Sequence, residues 1–90
     1  MKIEFDPTKD ATNITKHGIS LSAASLLDWG RILVRPDERH DYGEQRMIGL
    51  GTIGNRLYTV IFVDRGDVRR IISLRKAHFK EVALYENAQT

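Results

Sequence analysis

Cysteine is missing from all 90 residues, which rules out disulfides, thiolate metal sites and thiol nucleophiles. An intracellular setting is compatible with that absence. No run approaches the roughly 18 apolar residues of a membrane span, and the opening Met1-Lys2-Ile3-Glu4-Phe5-Asp6 carries no apolar signal segment. A soluble, cytoplasmic chain is therefore expected. Glycine-rich phosphate loops are lacking, since Gly49-Leu50-Gly51 falls in an expected strand and Gly54 in a turn. Nucleotide-dependent chemistry has no foothold. The histidines His17, His40 and His78 are scattered, and no paired histidine or carboxylate spacing matches a zinc or calcium motif. No metal or other cofactor is expected. Charge is nearly balanced, at +2 from 14 basic and 12 acidic residues, so the total says little about a polyanionic partner.

Distribution says more than the total. From Arg69 to Lys80 the chain carries Arg69, Arg70, Arg75, Lys76, His78 and Lys80, with no acid before Glu81. Such a face attracts polyanions in a salt-dependent way, although an ordinary solvated surface has the same composition. A chain of this length buries only about 60–65% of its unfolded surface and holds one core, so one domain over residues 1–90 is expected.

Ile3-Glu4-Phe5 alternates like a short strand. Asp6-Pro7 then reads as a helix start, the aspartate capping free N–H groups and proline occupying the first turn. That helix runs through Lys16 and closes at His17-Gly18, where glycine takes the left-handed conformation and a cation complements the helix dipole. Ser20 caps a second helix with a stripe of Leu21, Ala24 and Leu27, Ala23 and Leu26 beside them, ending near Asp28-Trp29-Gly30. Strands follow at Ile32-Leu33-Val34, Arg46 to Leu50, Leu57 to Val63 and Val68 to Leu74. Leu57 to Val63 is apolar on both alternations, which marks a central strand covered on both faces. Gly54-Asn55 and Asp64-Arg65-Gly66-Asp67 are hairpin turns joining the last three strands into an antiparallel meander. Arg35 to Glu44 reads as a polar connection, and a final helix from about Ala77 to Tyr85 turns Phe79, Val82 and Ala83 inward. The expected fold is α+β, with two N-terminal helices and a C-terminal helix packed on one antiparallel sheet.

In order and spacing, several short pieces resemble the BrnT family of bacterial toxins, the ribonuclease half of a type II toxin–antitoxin pair with a RelE-like fold. They are Phe5-Asp6 with Lys9, Asn13 and Lys16-His17-Gly18-Ile19-Ser20, then Leu21, Ala24 and Asp28. Glu44-Gln45-Arg46 with Ile48-Gly49 follow, and last Arg70-Ile71-Ile72-Ser73 with Arg75, Ala77, Glu81 and Tyr85. Phe5 stands where the family usually has tryptophan, and Gln45 interrupts what is often a Glu-Arg pair. The resemblance implies an endoribonuclease that halts translation and is held inactive by a BrnA-like ribbon-helix-helix antitoxin. It also implies a hetero-oligomer in which DNA is touched only through the antitoxin.

RNA brings its own nucleophile in the 2′-hydroxyl, so a metal-free enzyme needs a base for that proton, cations for the phosphorane charge and an acid for the departing 5′-oxygen. His17 is the best titrating candidate, its structural alternative being a helix-end cation. Arg70 and Arg75 can clamp phosphate, but a separation of five residues places them on opposite faces of an ideal strand unless it bends. Arg46 can converge with either, and Glu44 can orient it or act as base, with plain salt bridging to a strand arginine as the alternative. Ser73 reads as a phosphate hydrogen-bond donor. Lys9, Lys16, Lys76 and His78 are candidate substrate contacts, with solvated surface as the alternative; His40, in the loop, is a further titrating candidate. Tyr58 and Tyr85 can stack on a base or sit in the core. A rival reading from another class is a non-catalytic module whose basic face binds a partner protein or nucleic acid.

Overall fold

The computed structural model describes residues 1–39, 41 and 43–89, so His40 lies outside the described residues. Strand β1 (Lys2–Glu4) leads to helix α1 (Pro7–His17), which begins as its sequence dictates. Asp6 is its N-cap and accepts a 2.9 Å bond from Thr8 N, proline occupies the first turn, and Gly18 closes it at φ 72°. Two short 3-10 segments, Leu21–Leu26 and Trp29–Arg31, follow. Strands β2 (Leu33–Asp37), β3 (Arg46–Ile53), β4 (Arg56–Arg65) and β5 (Val68–Lys76) then precede helix α2 (Phe79–Gln89). Among the described residues no helix is long and apolar enough to cross a membrane.

The strands form one five-stranded sheet in the order β1-β5-β4-β3-β2. The meander β3-β4-β5 is antiparallel, with two-residue turns at Gly54-Asn55 and Gly66-Asp67 whose glycines have φ 61° and 62°. β4 is central, and its two alternations go to opposite faces as the sequence implied. Val60 and Phe62 join Ile71 and Leu74 in the main core, while Leu57, Thr59 and Val63 are buried on the other side.

Four expectations need correction. The sheet is mixed rather than antiparallel, because β1 pairs parallel to β5 through Lys2↔Val68, Ile3↔Arg69 and Glu4↔Arg70. A three-residue strand announces no direction, and its partner here is the last strand of the chain. The second helix is 3-10 instead of α. Leu21, Ala24 and Leu27 recur every three residues, the 3-10 repeat, and all three are buried against the sheet, whereas Leu26 is 67% exposed. Arg35, Pro36 and Asp37 belong to β2 and not to a connection; proline is tolerated because β2 is an edge strand. Finally, α2 does not turn Phe79, Val82 and Ala83 inward. Phe79 is 80% exposed and Ala83 is exposed, Val82 at 36% only borders a depression with Leu57, and the half-buried residue of the first turn is Glu81, which lines a small cleft with Leu33, Arg35, Ile48 and Leu50.

One polar side chain fixes α1 to the sheet. Asn13, 5% exposed, donates to Leu74 O (2.8 Å) and Ile19 O (2.9 Å) and accepts from Leu74 N (3.2 Å). β1 reaches only as far as Arg70, so this amide supplies the partner that the β5 edge would otherwise lack beside Leu74. Asp10 ties the other end of α1 by accepting from Ser20 Oγ (2.9 Å) and Leu21 N (2.7 Å).

Candidate nucleic-acid interface

The five-residue gap between Arg70 and Arg75 is resolved by a β-bulge. Phe62 pairs with Ile71 and Ile61 with Ser73, which leaves Ile72 as an extra residue in β5. The slip restores the parity: Arg70 pairs with Val63, Ser73 with Ile61 and Arg75 with Thr59, three positions that alternate along one side of β4. Arg70, Ser73 and Arg75 therefore share a face, the one opposite the main core. Register places Arg46 on that face too, in step with Ile48, which pairs with Ile61.

α1 runs beside this row. Thr8, Lys9, Thr12, Lys16 and His17 line a groove of about 360 Å³ whose other wall is Ile72 and Ser73. The bulge thus serves twice, aligning the arginines and exposing β5 to α1. Slight desolvation of the exposed imidazole, then the charges of Lys16 and Arg75, lower the His17 pKa from 6.5, which favours the neutral form at pH 7, and Arg75 lies within electrostatic reach of it. Asn13, which also lines the groove, is structural, its amide committed to Leu74 and Ile19. Lys76 and His78 do not join the groove. Lys76 pairs opposite Tyr58 and lines a separate depression with Arg56, Ala77, Val82 and Tyr85, and His78 stands just before α2 with its amide donating to Glu81. Tyr58 packs on the core and Tyr85 donates to Arg31 O at 3.3 Å.

Carboxylates sort the arginines. A guanidinium binds a planar or tetrahedral anion at two points through its Nε/Nη2 edge or its Nη1/Nη2 end. Arg39 gives the Nε/Nη2 edge to Asp37 (2.8 and 2.9 Å), Arg69 to Asp64 (2.7 and 2.8 Å) and Arg65 to Glu44 (3.3 and 3.0 Å). Arg69 is moreover stacked over Trp29 and Phe62, at 4.8 and 4.3 Å, on the core side of the sheet. Arg70 differs, with one bond from Nη1 to Glu4 at 3.0 Å. Arg75 gives its Nη1/Nη2 end to Glu81 (2.8 and 3.0 Å) and Nη1 also to Lys76 O (3.3 Å). Among the described residues, then, Nε and Nη2 of Arg70 and Nε of Arg75 take part in no hydrogen bond, and Arg75 Nη2, with one proton on Glu81, keeps its second for the Nε side; both open edges flank Ser73.

Glu44 and Arg46 stand at the margin of the row. The partner of Glu44 is Arg65, the strand-arginine alternative, and not Arg46. Its hydrogen bonds, joined by the charges of Arg65, Arg46 and Arg70, lower the Glu44 pKa against slight burial and make it a poorer base. Arg46 is half-buried and its charge also lowers the pKa of Asp37. Glu4, Arg65 and Glu81 were not singled out as site residues from the sequence. Glu4 and Arg65 are brought to the site by long-range pairing; the signal for Glu81 is its place three residues after His78, where a carboxylate caps the start of a helix. Among the described residues, no three histidine, aspartate or glutamate side chains gather so as to hold a metal ion.

No curated protein matches this chain. A family described as "Ribonuclease toxin, BrnT, of type II toxin-antitoxin system" matches residues 5–81, which include α1, the whole row on β5 and Glu81. A match over that much of the chain shows that it belongs to the BrnT ribonuclease toxins of type II toxin–antitoxin systems.

Proposed function

We propose that the chain is a metal-independent endoribonuclease of RelE-like architecture, acting in the cytoplasm as one toxin domain, and that it cuts RNA on the face shared by Arg70, Ser73 and Arg75. The observation that carries this reading is the bulge at Ile72, which sets two open guanidinium edges on either side of a hydroxyl beside the α1 groove. A phosphodiester seated there is held at two points by each arginine and by the Ser73 hydroxyl, and the charge of the phosphorane falls on cations already in place. His17, with a lowered pKa, is suited to take the 2′-hydroxyl proton, and the 2′-oxygen then closes on phosphorus as the bond to the 5′-oxygen breaks, that oxygen taking its proton from solvent water or from the imidazolium just formed. Lys9 and Lys16 follow the RNA backbone along α1. Arg46 and Glu44 border the site.

Membership of a type II system implies an antitoxin partner. In this reading it is a BrnA-like ribbon-helix-helix protein that neutralises the toxin in a hetero-oligomer and alone contacts DNA, while the free toxin stops translation by cutting RNA.

The test is purified, antitoxin-free chain with naked RNA in EDTA, beside His17→Ala and Arg75→Ala. Cleavage by the wild type is expected, with a rate that rises with pH to a plateau and a midpoint below 6.5, and slowed by roughly 100-fold or more in both variants. A rate that falls with pH makes His17 the acid instead. Activity lost in EDTA overturns the metal-free mechanism, and undiminished cleavage by both variants overturns the site. A wild type that binds RNA or a partner without cutting, even with translating ribosomes, favours the interaction module.

A further inference from the structure

We propose that Glu81 is a positioning residue for Arg75, holding the guanidinium by its Nη1/Nη2 end so that the Nε/Nη2 edge is presented to the RNA phosphate. The inference rests on the ribonuclease reading of this face. Its basis is a division of labour on one guanidinium. Glu81 Oε1 and Oε2 accept from Nη1 and Nη2 at 2.8 and 3.0 Å, which consumes the end of the fork and leaves its edge. In the Arg39, Arg65 and Arg69 pairs the carboxylate sits on the edge itself, where a phosphate would have to displace it.

Glu81 is in turn fixed from behind. Its Oε1 also accepts from His78 N at 2.8 Å, so the carboxylate is anchored at the start of α2, and it shares a cleft with Leu33, Ile48 and Leu50 of the sheet and Leu84 of α2. The side chains of Arg75 and Glu81 are 26% and 20% exposed, against 53% and 36% for Arg65 and Glu44. A long, rotamer-rich side chain is thereby ordered before substrate arrives, which is what a transition-state contact requires. Burial raises the Glu81 pKa, but the Arg75 and His78 hydrogen bonds outweigh it and bring the value to about 2, so the group stays ionised and takes no proton in the reaction.

The experiment compares wild type, Glu81→Gln, Glu81→Asp, Arg75→Ala and the Arg75→Ala/Glu81→Gln double variant on RNA in EDTA. Circular dichroism reports folding, and NMR of the arginine guanidinium protons reports Arg75. Glutamine keeps an acceptor for His78 N but presents N–H groups to Arg75; aspartate keeps the charge and the helix start but is too short to reach both Nη atoms. Both are expected to lower kcat by roughly 10- to 100-fold, with KM within about threefold because binding is spread over other cations. In the Arg75→Ala background the glutamine change should have no further effect. The slowed Arg75 Nη proton signals of the wild type should be lost in both single Glu81 variants. Full kcat in Glu81→Gln overturns the proposal, as does an equal fold-loss in the Arg75→Ala background or unchanged Arg75 signals. If the wild type does not cut RNA, the ribonuclease reading fails by itself; the Arg75 signals then decide the clamp, their loss in the variants supporting it and their persistence overturning it.

Discussion

At the scale of single residues, the arginines of this chain are distinguished by which nitrogens are already spoken for. Arg70 and Arg75 keep an Nε/Nη2 edge open, whereas Arg39, Arg65 and Arg69 have theirs filled by carboxylates. Lysine cannot make a two-point contact, so Arg70→Lys and Arg75→Lys should each lower kcat/KM by roughly 100-fold, the magnitude of a lost preorganised donor. Arg39→Ala and Arg65→Ala should stay within about threefold, since both guanidiniums already give their edges to carboxylates; Arg39→Ala should instead lower stability, because it takes the guanidinium from the buried Asp37 carboxylate. Steady-state cleavage assays on the four variants check this, and a large loss in Arg65→Ala with none in Arg75→Lys would move the phosphate site toward Glu44. The sequence named Arg70, Arg75 and Ser73 but left the two arginines on opposite faces. A bulge is a mismatch between two strands, and nothing in Arg70-Ile71-Ile72-Ser73 by itself declares that Ile72 has no partner. Asn13 was visible as a residue and opaque as a role, because its partner is Leu74, sixty-one positions away.

At the scale of elements, α1 is held to the sheet by polar bonds more than by apolar contact: of its residues only Asn13 is buried, and Ile14 is 47% exposed. Asn13→Ala would strand the N–H and C=O of Leu74 at the β5 edge, a loss of roughly 2–4 kcal/mol if each buried group loses its partner. The same change would loosen the wall that presents Lys9, Lys16 and His17, so cleavage should weaken along with thermal stability. Denaturant unfolding and RNA cleavage measured on one preparation check both, and an unchanged midpoint would show that α1 is docked by something else. The start and end of α1 were legible from Asp6, Pro7 and Gly18, because caps are local chemistry. The 3-10 segment differs from the α-helix that its stripe predicts. Leu21, Ala24 and Leu27 fit a repeat of three better than 3.6, and only the exposure of Leu26 separates the two. The inward face of α2 was misread because the residue facing the sheet is a glutamate whose charge is matched by Arg75, so apolarity was the wrong guide there.

At the scale of the whole molecule, the paired carboxylates that organise the arginines also set the response to acid. Hydrogen bonding from Arg39, above all, outweighs burial and brings Asp37 from 3.8 to about 2; Glu81, despite its burial, comes from 4.5 to about 2. Asp64, bound by Arg69, and Glu44, bound by Arg65, shift in the same direction. A carboxyl whose pKa is lower folded than unfolded takes up protons more readily in the unfolded chain, so folding is favoured above the unfolded pKa and the gain is lost as pH falls through the folded one. The Tm should therefore be level from pH 7 to about 5 and fall steeply between about 4.5 and 2. Because the clamp on Arg75 dissolves over the same interval, Glu81→Gln should show a lower Tm at pH 7 and a shallower fall below pH 4.5, the two curves converging near pH 2. Thermal unfolding followed by circular dichroism across this range checks it. Parallel curves would mean that Glu81 contributes nothing to stability through its charge, and that the acid sensitivity of the fold resides in Asp37 and Asp64.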